Sequence, residues 1–206
     1  MLKNIIFDWS GTISDNTKKV YLTAMAIFKK FGVKKISFKD FRKNFKLPVM
    51  LFYNQYIPNL SLSEEKKIYA EEYAKLKKST PYKSIDKIIK NLAKRDLNLV
   101  VISTDPPAQL KKEIKKFDLE NVFMDIESGV HDKYSTLKKN IKKNKFRLSE
   151  TIFIADTKWE IEIGNKIGIK TGGVTWGIGT LKEISEAKPT YLINNIAKFK
   201  KIFNET

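Results

Sequence analysis

The chain has 206 residues, 40 of them basic and 23 acidic, for a formal net charge of +17; it has no cysteine and one histidine, His131. Those counts exclude disulfide frameworks, thiol nucleophiles, zinc–cysteine and iron–sulfur sites, and a histidine-rich metal centre. The length fits one domain, or one domain with a modest insertion. The positive balance would suit an anionic partner. Only Arg42, Arg95 and Arg147 are arginines, however, and arginine is the usual reader of base edges and phosphates. A lysine excess spread along the whole chain reads as solvated surface, so nucleic acid is not the expected partner. No apolar run reaches the length of a membrane span, and Asp8 arrives too early for a signal peptide. The expected location is the cytoplasm, with no membrane partner.

In chain order, residues 3–8 read as a short buried strand ending in a carboxylate. A helix is predicted over 16–31, with Val20, Ala24, Ile27, Phe28 and Phe31 on one face and Gly32 as its stop. One or two short helices fill 37–57, interrupted near Pro48. Ser61 with Glu64 fits a capping box that opens a helix through about Lys78. A further amphipathic helix covers about 84–95, and 97–103 is an apolar run of strand length. Helices are then predicted over 107–117, 133–143 and 158–167, strands over 122–126, 151–155 and 171–175, and a last helix on Ile196, Phe199 and Phe203. Strands alternating with helices predict an α/β fold, a parallel sheet with helices on both faces. The helical block interrupts that pattern. The predicted division is a core of 1–13 and 81–206 and an inserted all-helical domain of 14–80.

In such sheets ligands bind beyond the carboxyl ends of the strands. Three of those ends carry polar sets. The first is Asp8-Trp9-Ser10-Gly11-Thr12, the second Ser103 and Thr104, the third Asp156 with Glu160 four residues on. Any one set alone could be turn residues. Carboxylates converging at one edge repel one another unless a cation lies between them. Oxygen ligands without histidine or cysteine point to a hard ion, Mg²⁺ first. Hydroxyls and a lysine around such an ion make a phosphate site, and a carboxylate beside the phosphate is a candidate nucleophile.

The ordered set resembles the haloacid dehalogenase superfamily of Mg²⁺-dependent phosphohydrolases. Residues 8–12 look like its first motif, D-x-D-G-T, and 100–104 like its second, an apolar strand ending in Ser or Thr. Lys133 is similar in position to the third-motif lysine, with Lys138 and Lys139 as rivals; 154–161 looks like the fourth motif, G-D-x-x-x-D. The run from Gly168 to Gly177 reads like the phosphoglycolate-phosphatase-like branch. The resemblance implies a Rossmann-like core in which Asp8 attacks phosphorus to form an aspartyl-phosphate. It implies that Asp8, Asp156 and the Ser10 backbone carbonyl hold Mg²⁺, with Glu160 supporting the metal directly or through water. Ser103, with Thr104, would bind the phosphoryl group, Lys133 would neutralise charge on Asp8 and the phosphate, and the helical insertion would act as a cap. The implied partner is a small phosphorylated substrate, bound by a monomer or a dimer.

Two positions depart from the pattern. Ala155 replaces the fourth-motif glycine, and Ser10 replaces the second aspartate of the first motif, the general acid and base of the phosphatases. Such proton transfer contributes roughly 10²–10⁴ in rate. One reading is a phosphatase that is slow or favours good leaving groups. Another is a phosphonoacetaldehyde-hydrolase-like enzyme, whose motif also begins Asp-Trp, with Lys43 or Lys46 as a Schiff-base lysine. A third is a catalytically weak protein that binds a phosphorylated ligand. Trp9 and Trp176 are read either as walls of the site or as packing.

Overall fold

The structure is a computed structural model and describes residues 1–204. The first strands, β1 (Asn4–Phe7) and β2 (Ser14–Asp15), precede four helices, α1 (Thr17–Lys30), α2 (Phe38–Asn44), α3 (Met50–Tyr53) and α4 (Leu62–Ala74). Next come β3 (Thr80–Pro81), α5 (Ile85–Ala93), β4 (Asn98–Ile102), α6 (Pro107–Lys116), β5 (Asp125–Glu127) and α7 (Lys133–Lys143). Then follow β6 (Thr151–Ala155), α8 (Lys158–Ile167), β7 (Lys170–Val174), α9 (Leu181–Glu186), β8 (Tyr191–Ile193) and α10 (Ile196–Asn204). The chain forms two compact units, Met1–Asp15 with the chain from Thr80 onward, and Asn16–Ser79.

The first unit is built on a six-stranded parallel sheet in the order β5-β4-β1-β6-β7-β8. Its central strands β1, β4 and β6 are apolar after their first residue because both faces are covered. Alternation divides their side chains. Ile5 and Phe7 pack on one face with Ile88 and Leu92 of α5, Ile114 of α6 and Phe199 of α10. Ile6, Val100 and Phe153 pack on the other with Leu137 and Ile141 of α7 and Ile161 of α8. Each such side chain contributes roughly 1.5–3 kcal/mol by leaving water. β1 lies between β4 and β6, so the chain just past Phe7, Ile102 and Ala155 emerges at one sheet edge.

Three observations depart from the sequence expectations. The strand predicted at 122–126 is β5, starting at Asp125, which pairs with Val100. Val122 and Phe123 pack against the core from the preceding turn instead of joining the ladder. α4 ends at Ala74, and Lys77 and Lys78 beyond it are exposed. Finally, α9, β8 and the small antiparallel pair of β2 and β3 are additional. They are short, and of their residues only Ser14 of β2, Ile184 of α9 and Ile193 of β8 are buried.

The second unit packs α1 against α4 and α2. Its interior is aromatic, with Phe28 stacked on Phe52 at 5.8 Å and Phe41 edge-on to Phe52 at 5.4 Å. Ser61 accepts from the Glu64 N–H at 3.2 Å, the forward half of the expected capping box.

Candidate active site

Asp8 directly follows β1 and is buried. Its N–H donates to the Ile154 carbonyl at 2.9 Å, continuing the β1–β6 ladder by one residue, which fixes the carboxylate at the strand end. Oδ2 of Asp8 accepts from Thr12 Oγ1 at 3.0 Å, and Oδ1 accepts from Lys133 Nζ at 2.5 Å. Lys133 opens α7, where the Asp132 side chain accepts from the Ser135 N–H at 3.0 Å and so caps the helix. The lysine is only 1% exposed and also donates to Glu160 Oε1. Lys138 and Lys139 are exposed, as is His131.

Glu160 is placed by a second cap. Thr157 ends the turn after β6, and its Oγ1 accepts from the Glu160 N–H at 3.4 Å while donating to Glu160 Oε2 at 2.5 Å. Asp156 sits between two glycines. A Cβ added at Gly11 or at Gly177 would lie 2.1 Å from Asp156 Oδ2. The Ile178 N–H donates to that oxygen at 2.6 Å, and the Gly179 N–H donates to the Asp156 carbonyl at 3.0 Å. Gly11 has φ of +79°, a left-handed conformation that favours glycine. Asp8, Asp156 and Glu160 each bring a carboxylate oxygen within 4.8 Å of the others, and all three residues are buried.

The charges respond to this crowding. Burial, then repulsion by Glu160, pushes the Asp8 carboxyl up to about 7, against the opposing pull of Lys133. Burial and then the charges of Asp8 and Glu160 hold Asp156 well above the usual carboxylate range. Lys133 also moves up: burial opposes its charge, but Asp8 and Glu160 together outweigh burial. The two ends of the Lys133–Asp8 pair thus respond differently, because the lysine has two carboxylates whereas the carboxylates share one lysine. Three buried carboxylates against one ammonium leave an excess of negative charge that a hard divalent cation fits, and every carboxylate donor is oxygen.

The remaining candidates form an adjoining network. Ser10 Oγ donates to Asp105 Oδ2 at 2.5 Å, and Ser103 Oγ donates to the same oxygen at 3.0 Å. Asp105 is buried, and burial is the main cause that raises its carboxyl pKa, while the Ser10 and Ser103 hydrogen bonds oppose the rise. Thr104 is half-buried and lies beside the network rather than within it. Sequence reasoning placed Thr12 and Thr157 inside its motifs without giving either a role, and it missed Asp105 and the Gly177–Gly179 turn. The glycines flanking Ile178 were the available signal for a close backbone approach.

Trp9 belongs to the core. It is fully buried, stacks on Phe117 at 5.5 Å and donates to Glu113 Oε2 at 2.9 Å. Trp176 is half-buried and donates to the Thr12 carbonyl at 3.2 Å. Lys43 and Lys46 are exposed on the helical unit. Among the described residues no helix is long and apolar enough to cross a membrane.

Comparison with known proteins bears on the same residues. The chain is 19% identical over 198 residues to the phosphoglycolate phosphatase of Synechococcus elongatus, covering 93% of this chain and 92% of that protein. A haloacid dehalogenase-like hydrolase of Streptococcus pneumoniae has the same fold, with a TM-score of 0.82 and 20% identity over 100% of this chain and 99% of that one. A predicted phosphoglycolate phosphatase of Haemophilus somnus gives a TM-score of 0.81 and 17% identity over 98% of each chain. At those identities the two solved structures speak for the fold alone. The family model for haloacid dehalogenase-like hydrolases matches residues 5–174, a span that holds the whole carboxylate–lysine cluster, and the chain belongs to that family.

Proposed function

We propose that the protein is a Mg²⁺-dependent phosphohydrolase that works through an aspartyl-phosphate on Asp8 and acts on a small phosphorylated compound. The observation that carries this reading is the buried Asp8 at the end of the central strand, held by Lys133 and Thr12 and facing Asp156 and Glu160. The phosphatase name of the Synechococcus relative supports the same class of substrate.

The chemistry has two displacements. A carboxylate oxygen of Asp8 attacks phosphorus, and the bond from phosphorus to the leaving oxygen breaks. Water then attacks the phosphorus of the aspartyl-phosphate, releasing phosphate and regenerating the Asp8 carboxylate. Lys133 and Thr12 fix the rotamer of Asp8, so little reorganisation is needed for attack. Lys133 stays charged and offsets negative charge as it spreads over the phosphoryl oxygens. Asp156, Asp8 and the Ser10 backbone carbonyl would hold Mg²⁺, with Glu160 supporting it directly or through water. The ion would act as a Lewis acid on the phosphoryl oxygens. The helical unit, Asn16–Ser79, would serve as a cap.

The test is phosphate release from para-nitrophenyl phosphate, acetyl phosphate and a simple alkyl phosphate, with Mg²⁺ or chelator, on wild type and Asp8→Asn. The reading expects release that needs Mg²⁺ and disappears in Asp8→Asn. Release that persists in Asp8→Asn would assign the chemistry to another group.

A further inference from the structure

Position 10 is where the resemblance places an acid/base aspartate, and this chain has serine there. The structure puts a carboxylate behind that serine. Asp105 Oδ2 is 2.5 Å from Ser10 Oγ, and the aspartate follows β4, the strand that pairs with β1. Its backbone is held from both sides: its N–H donates to Ser103 Oγ at 3.0 Å, and its carbonyl accepts from the Gly129 N–H at 2.8 Å. Two hydroxyls donate to one oxygen of this buried carboxylate. The Ser10 bond, at 2.5 Å, is in the short range of hydroxyl-to-carboxylate bonds, and it fixes the direction of the serine hydrogen. A hydroxyl turned this way presents its oxygen as an acceptor. The contact is made by the Ser10 side chain, whereas the proposed cation would meet the Ser10 backbone carbonyl.

Resting on the phosphatase reading, we propose that Asp105 supplies, through the Ser10 hydroxyl, the proton transfer that the first motif lacks. When water attacks the aspartyl-phosphate, its proton passes to Ser10 Oγ as the serine hydrogen passes to Asp105 Oδ2. The bond between phosphorus and the Asp8 oxygen breaks, and phosphate leaves. In the next cycle the same proton returns through Ser10 to the leaving oxygen of the substrate, so none is gained or lost overall. Asp105 is a positioning residue in this scheme, since Ser10 is the group that meets the water. Nothing in the sequence pattern marks it, because Asp105 directly follows the second motif and reads as a turn residue.

The test follows acetyl phosphate and an alkyl phosphate with Mg²⁺, recording steady turnover and, by acid quench and intact mass, the phosphoenzyme. The proteins are wild type, Ser10→Ala, Asp105→Asn, and Ser10→Asp combined with Asp105→Asn. Asp105→Asn keeps the size of the side chain, and both single variants should lose about 10²-fold in turnover. With acetyl phosphate they should still accumulate phosphoenzyme, because its leaving group needs no proton. The double variant should regain at least about tenfold over Asp105→Asn, since it returns a carboxylate to position 10. A purely structural role for Asp105 would slow formation and hydrolysis of the phosphoenzyme alike, so phosphoenzyme would not accumulate. Turnover within about twofold of wild type in Ser10→Ala overturns the inference even if Asp105→Asn fails to fold. A loss in Asp105→Asn without rescue overturns it as well. A wild type that turns over neither compound overturns the phosphatase reading, and this inference with it.

Discussion

Gly177→Ala tests whether the cradle around Asp156 sets the site geometry. The added Cβ would lie 2.1 Å from Asp156 Oδ2, 2.5 Å from Asp156 Cβ and 2.5 Å from the Gly11 carbonyl oxygen. Even a tight contact of about 3.4 Å would require the carboxylate to retreat by about 1.3 Å. Gly11 lies against the same oxygen, since a Cβ built there would also be 2.1 Å from it. The Ile178 N–H that holds Oδ2 at 2.6 Å belongs to the residue next to the substitution, so the retreat also strains that bond. Overpacking of this kind costs about 1–3 kcal/mol of stability. A misplacement near 1 Å in a catalytic group costs on the order of 10²-fold in rate. The expected outcome is a folded protein with a lowered melting temperature, phosphate release down about 10²-fold and a higher Mg²⁺ requirement. The assay is phosphate release across a Mg²⁺ titration, with thermal unfolding of the same samples. Wild-type release at wild-type Mg²⁺ would refute the reasoning, because Asp156 would then tolerate displacement.

Lys133→Met removes the ammonium shared by Asp8 and Glu160 and leaves buried carboxylates unpaired. Urea unfolding without metal should show a loss of about 3–5 kcal/mol, and phosphate release should fall to background. Mg²⁺ should raise the melting temperature of wild type by binding the folded carboxylate cluster, and chelator should reverse it. Asp156→Asn should weaken that effect. In the helical unit, Glu65 is buried, and burial raises its carboxyl from 4.5 to about 7. The folded state therefore favours the neutral acid, so stability falls as pH rises from 4.5 through about 7 and levels off above. Glu65→Gln should match wild type near pH 4 and exceed it by up to about 3 kcal/mol at pH 8, measured by urea unfolding at each pH. An equal difference at both ends would contradict it.

Much of the site was legible because strand ends follow from apolar runs. The runs ending at Phe7, Ile102 and Ala155 put Asp8, Ser103 and Asp156 at one edge once β1 lies between β4 and β6. Helix starts added Lys133 and Glu160, each one turn or less from a capping Asp132 or Thr157. Among many lysines, spacing alone could not separate Lys133 from Lys138 and Lys139; burial does. Asp105 was not legible. It stands before Pro106 and Pro107 in a run that reads as a turn, and its meeting with Ser10 comes from the β1–β4 pairing across 95 positions. Trp9 could have walled the site or filled the core; Phe117 and Glu113, both from α6 and its end, claim it for the core. The last short elements escaped because three-residue β8 is too brief to show a period.

The most direct measurement is the site of phosphoryl attachment. Wild-type protein is mixed with acetyl phosphate and Mg²⁺, quenched in acid and mapped by peptide mass spectrometry. The account predicts a gain of one phosphoryl group on the peptide that contains Asp8, lost on treatment with hydroxylamine and absent in Asp8→Asn. Phosphate turnover with no label on Asp8, or with the label on another residue, would contradict it.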